Sequence, residues 1–557
     1  MGRYANSKTI IPFYGLFSWG NFFDWLVTIC LGGLFVIASC SLGSIRPETH
    51  SLLLPIFALL LFLHGCWYAV EDKERARLSL VPFIFVPFLV WAALSASWLS
   101  PAAWRGWQDW VYYLEAFIFL WVICNNGRSI SHLWVICLFA LVPIMYAMLI
   151  GFYQLFQNPN LVTNAWVQLP VEMSAEYVGQ STGIFADPHS FALLLLIAIP
   201  CILFTGLAAR LTALLRILCV YVAVVSFACL VLTQVFWVYA GFALMLLLLP
   251  WFLFRRPSKR IFYGLFMTIV FSLIVFGLCF FNSTLNERVR VAWTVESEGI
   301  RRILWPEALT TAGNNLIAGV GSGAWGMMVE QSPRVRLVHS VQTPLNDALH
   351  IFAELGLVGL LLIVLPIGYL LIRAIRSLQT LPFVKFSGKT RKRLVMPSRR
   401  FFLSLSMIGS TAFLLGSLLQ GVLLLPVILF TGVIFLGLLI KSSFTWQLCL
   451  PRNWFIRVSY TVCTITVGVL FVDFAIPILR AREIELVCSQ RLEEIVESKR
   501  HLTSNQMLLN DVIESFAHGC LLYPENADLW IGRSQATAQR FFGNPSIFEE
   551  IGEESLA

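Results

Sequence analysis

The chain has 557 residues, of which 58% are hydrophobic and only 13% charged. A soluble domain carries about 25% charged and about 45–50% apolar residues. A water-soluble fold is therefore excluded, because this length cannot hide so much apolar surface, and so is a disordered chain, which is polar by nature. The net charge of +8 is scattered over short segments between apolar runs, a pattern that orients a membrane protein and gives no sign of a nucleic-acid partner.

A spanning helix needs about 20 apolar residues. Runs of that kind lie at about 22–42, 51–70, 78–99, 107–125, 132–155, 188–207, 211–232, 235–254, 260–281, 349–373, 401–420, 422–441 and 458–478. The expected fold class is an all-α polytopic membrane protein of about 13 transmembrane helices, with two long external loops and a small helical external tail. The first run follows Arg3 and Lys8 and precedes many others, so it reads as a first span and not as a cleaved signal. The seventh and eighth runs nearly touch at Thr233 and Gln234, as a tight hairpin or one broken segment. Asp24, Glu115 and Asp473 are exceptional charges in or beside the spans.

Basic residues in short loops mark the cytoplasmic side. They fall in alternate loops: Lys73, Arg75 and Arg77; Arg128; Arg210; the run RRPSKR at 255–260; the segment 374–400; and Lys441 with Arg452. Segment 156–187 has no Lys or Arg. The N-terminus is thus expected in the cytoplasm, and an odd number of spans puts the tail outside. The expected division is a transmembrane part, 1–478, with external loops at about 156–187 and 282–348, and a tail, 479–557. Within the tail, YPENADLWIGRSQA resembles the start of a tetratricopeptide repeat, but no second copy follows, and a plain helical hairpin is expected. Most of the 13 cysteines lie in apolar runs and read as small buried hydrophobes. Cys488 and Cys520 lie in the tail and have the option of pairing. No Cys/His spacing suggests a metal, and no cofactor is expected.

The most informative stretch begins RRILWPEALTTAGNNLIAGVGSGAWG at Arg301 and ends LNDALHIFAELGLVG at Gly359. Gly319, Gly321 and Gly323 make a turn whose amides can approach an anion, or else an ordinary loop. It is not a dinucleotide fingerprint, since the third glycine is misplaced. Asn346, Asp347, His350 and Glu354 cluster at a helix mouth, with 347, 350 and 354 on one face. They line a cavity or form a solvated helix start.

The order Arg301, Trp305, Ala308, Leu309, then Gly319, Gly321 and Gly323, then Asn346, Asp347, Leu349, Glu354, Gly356 and Gly359 resembles the O-antigen ligase and polymerase superfamily. GIFADPHSFA at 183–192 resembles that family's Gly-x-Phe-x-x-Pro-Asn segment. The resemblance covers about 180–375 and implies a metal-independent inverting glycosyltransferase of cell-envelope or exopolysaccharide biosynthesis, in a bacterial inner membrane. It implies as partners a polyprenyl-diphosphate-linked glycan, a glycan, lipid or protein acceptor, and membrane lipid. It also implies a basic residue on the diphosphate and a histidine that activates the acceptor hydroxyl, chemistry suited to Arg and neutral His.

The sequence departs from the family pattern at the polar positions. Leu345 stands where the histidine is expected, Phe236 and Gln180 stand where arginines are expected, and His189 replaces an asparagine. The candidates for catalysis are accordingly His350 and His339. Those for substrate binding are Arg301, Arg302, Asn346, Asp347, Glu354, Gly321, Gly323 and His189. Competing readings are a non-catalytic relative that binds lipid-linked glycan or assists export, and a transporter, although a transporter usually shows mid-membrane charges or internal repeats.

Overall fold

The computed structural model describes residues 18–40, 50–71, 77–127, 129–156, 161–162, 171–172, 180–185, 187–209, 211–281, 297–332, 343–382, 397–444, 448–449, 453–497 and 502–542. In chain order the helices are α1 (Trp19–Cys40), α2 (Leu54–Val70), α3 (Val81–Leu99), α4 (Ala103–Asn125), α5 (Ile130–Phe156), α6 (Pro188–Ala208), α7 (Ala213–Thr233), α8 (Phe236–Leu253), α9 (Pro257–Phe281), α10 (Ser297–Asn314), α11 (Trp325–Glu330), α12 (Asp347–Thr380), α13 (Ser398–Leu419), α14 (Pro426–Ser443), α15 (Trp454–Glu497), α16 (Leu502–Leu522) and α17 (Ala527–Phe542). Two antiparallel pairings of two residues each, Arg77–Leu78 with Leu448–Cys449 and Leu161–Val162 with Val171–Glu172, are the extended elements among the described residues.

A helix stands at each of the thirteen expected span positions, and eleven of them are long and apolar enough to cross a membrane. The other two are α2, with 17 residues, and α4, which carries Arg105, Asp109 and Glu115. The chain is an all-α polytopic membrane protein. The α7–α8 boundary is a tight hairpin. Gln234 takes a left-handed conformation (φ 56°) and closes α7. The Tyr239 hydroxyl then donates to the Val231 carbonyl (2.8 Å), and the rings of Phe227 and Phe242 meet across the turn.

Helices α6 and α14 are the most enclosed, while α9 lies outermost. Around them α15 packs on α2, α13 on α14 and α6, α14 on α4, and α1 on α2 and α5. Lipid tails are as apolar as leucine, so the polar side chains inside such a bundle find partners in one another. His50 and Glu115, both fully buried, meet at 2.6–2.7 Å and join the start of α2 to α4. Asp24 accepts from the Gly127 amide (2.8 Å) and the Asn126 side chain (3.2 Å), tying α1 to the end of α4.

Helix α15 runs unbroken past residue 479, so the expected boundary falls inside a helix. Beyond it, α16 and α17 form a hairpin in which Trp530 donates to the Pro524 carbonyl (3.0 Å). Cys488 and Cys520 are both buried in the tail core and are not disulfide-bonded. The tail is anchored by Arg105 of α4, whose Nε donates to Asp528 of α17 (3.1 Å). A partly buried pair of this kind is worth about 1 kcal/mol. We expect Asp528→Ala to speed amide exchange in α17 about fivefold while α4 exchanges as before.

Candidate functional site

One end of the bundle gathers the start of α6, the α7–α8 turn, α10, the start of α12 and the α13–α14 connection. Local sequence explains each placement. In ADPHS, Asp187 caps α6, accepting from the amides of His189 and Ser190 (3.0 Å each), and Pro188 opens the helix, where its missing N–H costs nothing. This sets His189 at the helix mouth, with its ring stacked on Trp237 at 5.8 Å and 11°. The Arg301 guanidinium lies over the same Trp237 ring at 4.3 Å and donates to Gln420 Oε1 (3.0 Å). Arg302, its neighbour, is on the exposed face of α10.

Asn346 caps α12, accepting from the Leu349 amide (3.1 Å) and donating to the Leu418 carbonyl (2.9 Å). The Asp347 carboxylate accepts the amides of Val422 (3.0 and 3.1 Å) and Leu423 (3.4 Å). Together they fasten the start of α12 to the loop that carries Gln420. Trp305 donates to the Pro344 carbonyl (3.0 Å) and holds α10 over this start. Leu345, at the position where the resemblance implies histidine, packs with Leu304 and Ala308 and takes φ 55°. Among the described residues, it and Gln234 are the non-glycine positions in the left-handed region. A branched side chain there stores of order 1–3 kcal/mol of strain, a cost that collects at functional sites.

The glycine turn meets the side chain of Glu354. The amides of Gly323 and Trp325 donate to its carboxylate at 3.0 and 3.3 Å, and the Gly321 amide donates to its main-chain carbonyl at 2.9 Å. Helix α12 is interrupted just below, at Gly356 (φ 66°, ψ −168°), a conformation open essentially to glycine alone. The loop repairs the break, because the amides of Leu357 and Val358 donate to the carbonyls of Leu316 (2.8 Å) and Ile317 (3.3 Å).

His350 is 2% exposed, and neither ring nitrogen has a hydrogen-bond partner. Its Nε2 lies 3.5 Å from Glu354 Oε2. Asp109 of α4 completes a group whose polar atoms all lie within 4.8 Å of one another. Among the described residues this group is close enough to hold a cation, although two backbone amides already occupy Glu354. His339 lies outside the described residues.

The structure thus brings Arg301 and His189 together and places Asn346 and Asp347 beside them, while His350, Glu354, Gly321 and Gly323 form an adjoining buried layer. Trp237, Gln420 and Asp109 are absent from the sequence candidates. For Asp109, a carboxylate inside the expected span at 107–125 was a usable signal. Trp237 is one aromatic among many in an apolar run, and nothing local marks it.

Such a fold, with this site at one end of a helical bundle, defines a polytopic membrane protein. Residues 221–364, which carry Trp237, Arg301 and the whole of α12's mouth, match the family model for O-Antigen ligase. The resemblance read from the motifs holds over this segment, and the chain is O-antigen-ligase-like there. No curated protein matches the chain.

Proposed function

We propose that the protein transfers a glycan from a polyprenyl-diphosphate carrier to a glycan, lipid or protein acceptor at the outer face of a bacterial inner membrane. The observation that carries this reading is Arg301, held by Trp237 and Gln420 at the mouth of the family-matched segment. A guanidinium is always charged and presents two parallel donors, the geometry that suits a diphosphate. In the transfer, the bond from the anomeric carbon to the diphosphate oxygen breaks as the acceptor oxygen bonds that carbon from the opposite face. The carrier diphosphate leaves on Arg301, and the acceptor's proton passes to a histidine, without a metal. His189 is that base, since it shares the Trp237 ring with Arg301 and a general base must reach its proton within about 3 Å. A second reading gives the role to His350, favoured by its two unbonded ring nitrogens beside Glu354 and Asp109. His339 is the third candidate.

The test is transfer by the purified protein in vesicles, supplied with lipid-linked donor glycan. Loss in His189→Ala, with transfer kept in His350→Ala and His339→Ala, supports the first assignment. Loss confined to His350→Ala or to His339→Ala moves the base to that residue. A parent protein that never transfers, while binding the donor, gives the non-catalytic reading.

In this reading 1–478 is the membrane part, 479–557 the external tail, and the Arg301 end faces outward. A reporter active only in the cytoplasm, fused after residue 557, should stay silent. A strong signal there would reverse the orientation.

A further inference from the structure

The opposite end of the bundle encloses a cavity of about 1900 Å³. Its walls come from the end of α6, the start of α7, the end of α8, the start of α9, the end of α12 and the start of α13. Arg216, Arg255, Arg256, Lys259, Arg260 and Arg400 line it, and among the described residues no lining residue is acidic. The sequence accounts for this imbalance. Residues 188–286 contain no Asp or Glu, and neither do residues 355–472, so the two stretches that build the cavity supply cations only. Arg400 is buried in the wall, donating to the carbonyls of Leu378 (3.0 Å) and Leu381 (2.7 Å). Arg260 donates to the Phe254 carbonyl (2.8 Å) and lies over Trp251 at 5.3 Å. These bonds fix where the charges stand without neutralising them, and like charges crowded in a partly desolvated space repel.

We propose that this cavity binds the phosphate headgroup of an anionic membrane lipid. The remaining walls are apolar, with Leu248, Leu249, Phe252 and Leu378 among them, and they suit acyl chains. Helix α9, which carries Lys259 and Arg260 into the cavity, is the outermost span, and its Phe262, Phe266 and Ile269 are exposed. A bilayer lipid therefore meets the cavity from the side. Basic side chains at helix ends reach the headgroup level while their stems stay in the apolar layer. A free diphosphate shares the headgroup's chemistry but uses none of the apolar wall.

The experiment uses the full chain in nanodiscs of phosphatidylcholine, alone or mixed with phosphatidylglycerol, and reads retained lipid by native mass spectrometry. The parent is expected to retain phosphatidylglycerol selectively. Arg255, Arg256 and Lys259 are exposed at the rim, so their joint change to Gln spares the buried wall. At about fivefold per cation near an anionic headgroup, the triple variant should bind about 100-fold more weakly. Arg373→Gln with Arg376→Gln, on the exposed face of α12 and outside the cavity lining, should bind as the parent does. A second measurement needs no variant: phosphatidylglycerol should slow amide exchange at 211–216, 251–260 and 375–381 of the parent. Equal retention by the triple variant, or unchanged exchange at those segments, overturns the proposal. So does inorganic diphosphate that displaces the lipid at comparable affinity, which assigns the cavity to a soluble phosphate.

Discussion

Replacing Gly321 by alanine is expected to destabilise the protein by about 4 kcal/mol, within the range reserved for backbone strain and forced overlap. Gly321 has φ 103°, and a Cβ there would overlap the Ser100 backbone. The loop would have to withdraw from the α3–α4 turn, taking with it the amides that hold Glu354 and the carbonyls that repair α12. The thermal midpoint should fall by about 3–4 °C. Gly313→Ala is the control. It lies in α10 with nothing within reach of a Cβ, so alanine should leave the midpoint level or raise it slightly. A Gly321→Ala protein as stable as the parent would mean that the loop is not clamped as described.

The second large effect concerns the reaction proposed above. Arg301→Lys keeps the charge but loses the two-pronged donor and the flat face that lies on Trp237, and the Gln420 bond no longer has its fixed direction. Losing one placed donor to developing charge lowers turnover by about 10²–10³-fold, which is the fall expected in the vesicle assay. Folding should be spared, because Arg301, Trp237 and Gln420 are all only partly buried. Transfer within threefold of the parent would remove Arg301 from the diphosphate.

The spans were legible because an apolar run of membrane length has few other uses. The α7–α8 turn was ambiguous because Gln234, unlike Gly or Asn, does not advertise a left-handed residue. The helix mouth at Asn346–Glu354 was legible as a cluster but not in its division of labour. Periodicity puts Asp347, His350 and Glu354 on one face, yet it cannot say that Asp347 meets the amides of Val422 and Leu423, or that Glu354 meets those of Gly323 and Trp325. Both partner sets are backbone groups distant in the chain, and backbone carries no residue signature. The same holds for Trp237, which matters only because His189 and Arg301 arrive from two other segments. The left-handed Leu345 was not foreseeable from a leucine.

The break in α12 at Gly356 bears on how the chain is assembled. A helix entering lipid normally brings all its own main-chain bonds. Here the amides of Leu357 and Val358, and the carbonyls of Ala353 and Glu354, are satisfied by Leu316, Ile317, Val320 and Gly321. Each of these groups left bare in hydrocarbon costs several kcal/mol. Residues 316–321 leave the ribosome some forty residues before Gly356, so they are available as a template when α12 enters the bilayer. This span is completed by its own upstream loop, and a chain whose loop is misplaced would be expected to stall at insertion of α12 and be degraded before any question of activity arises.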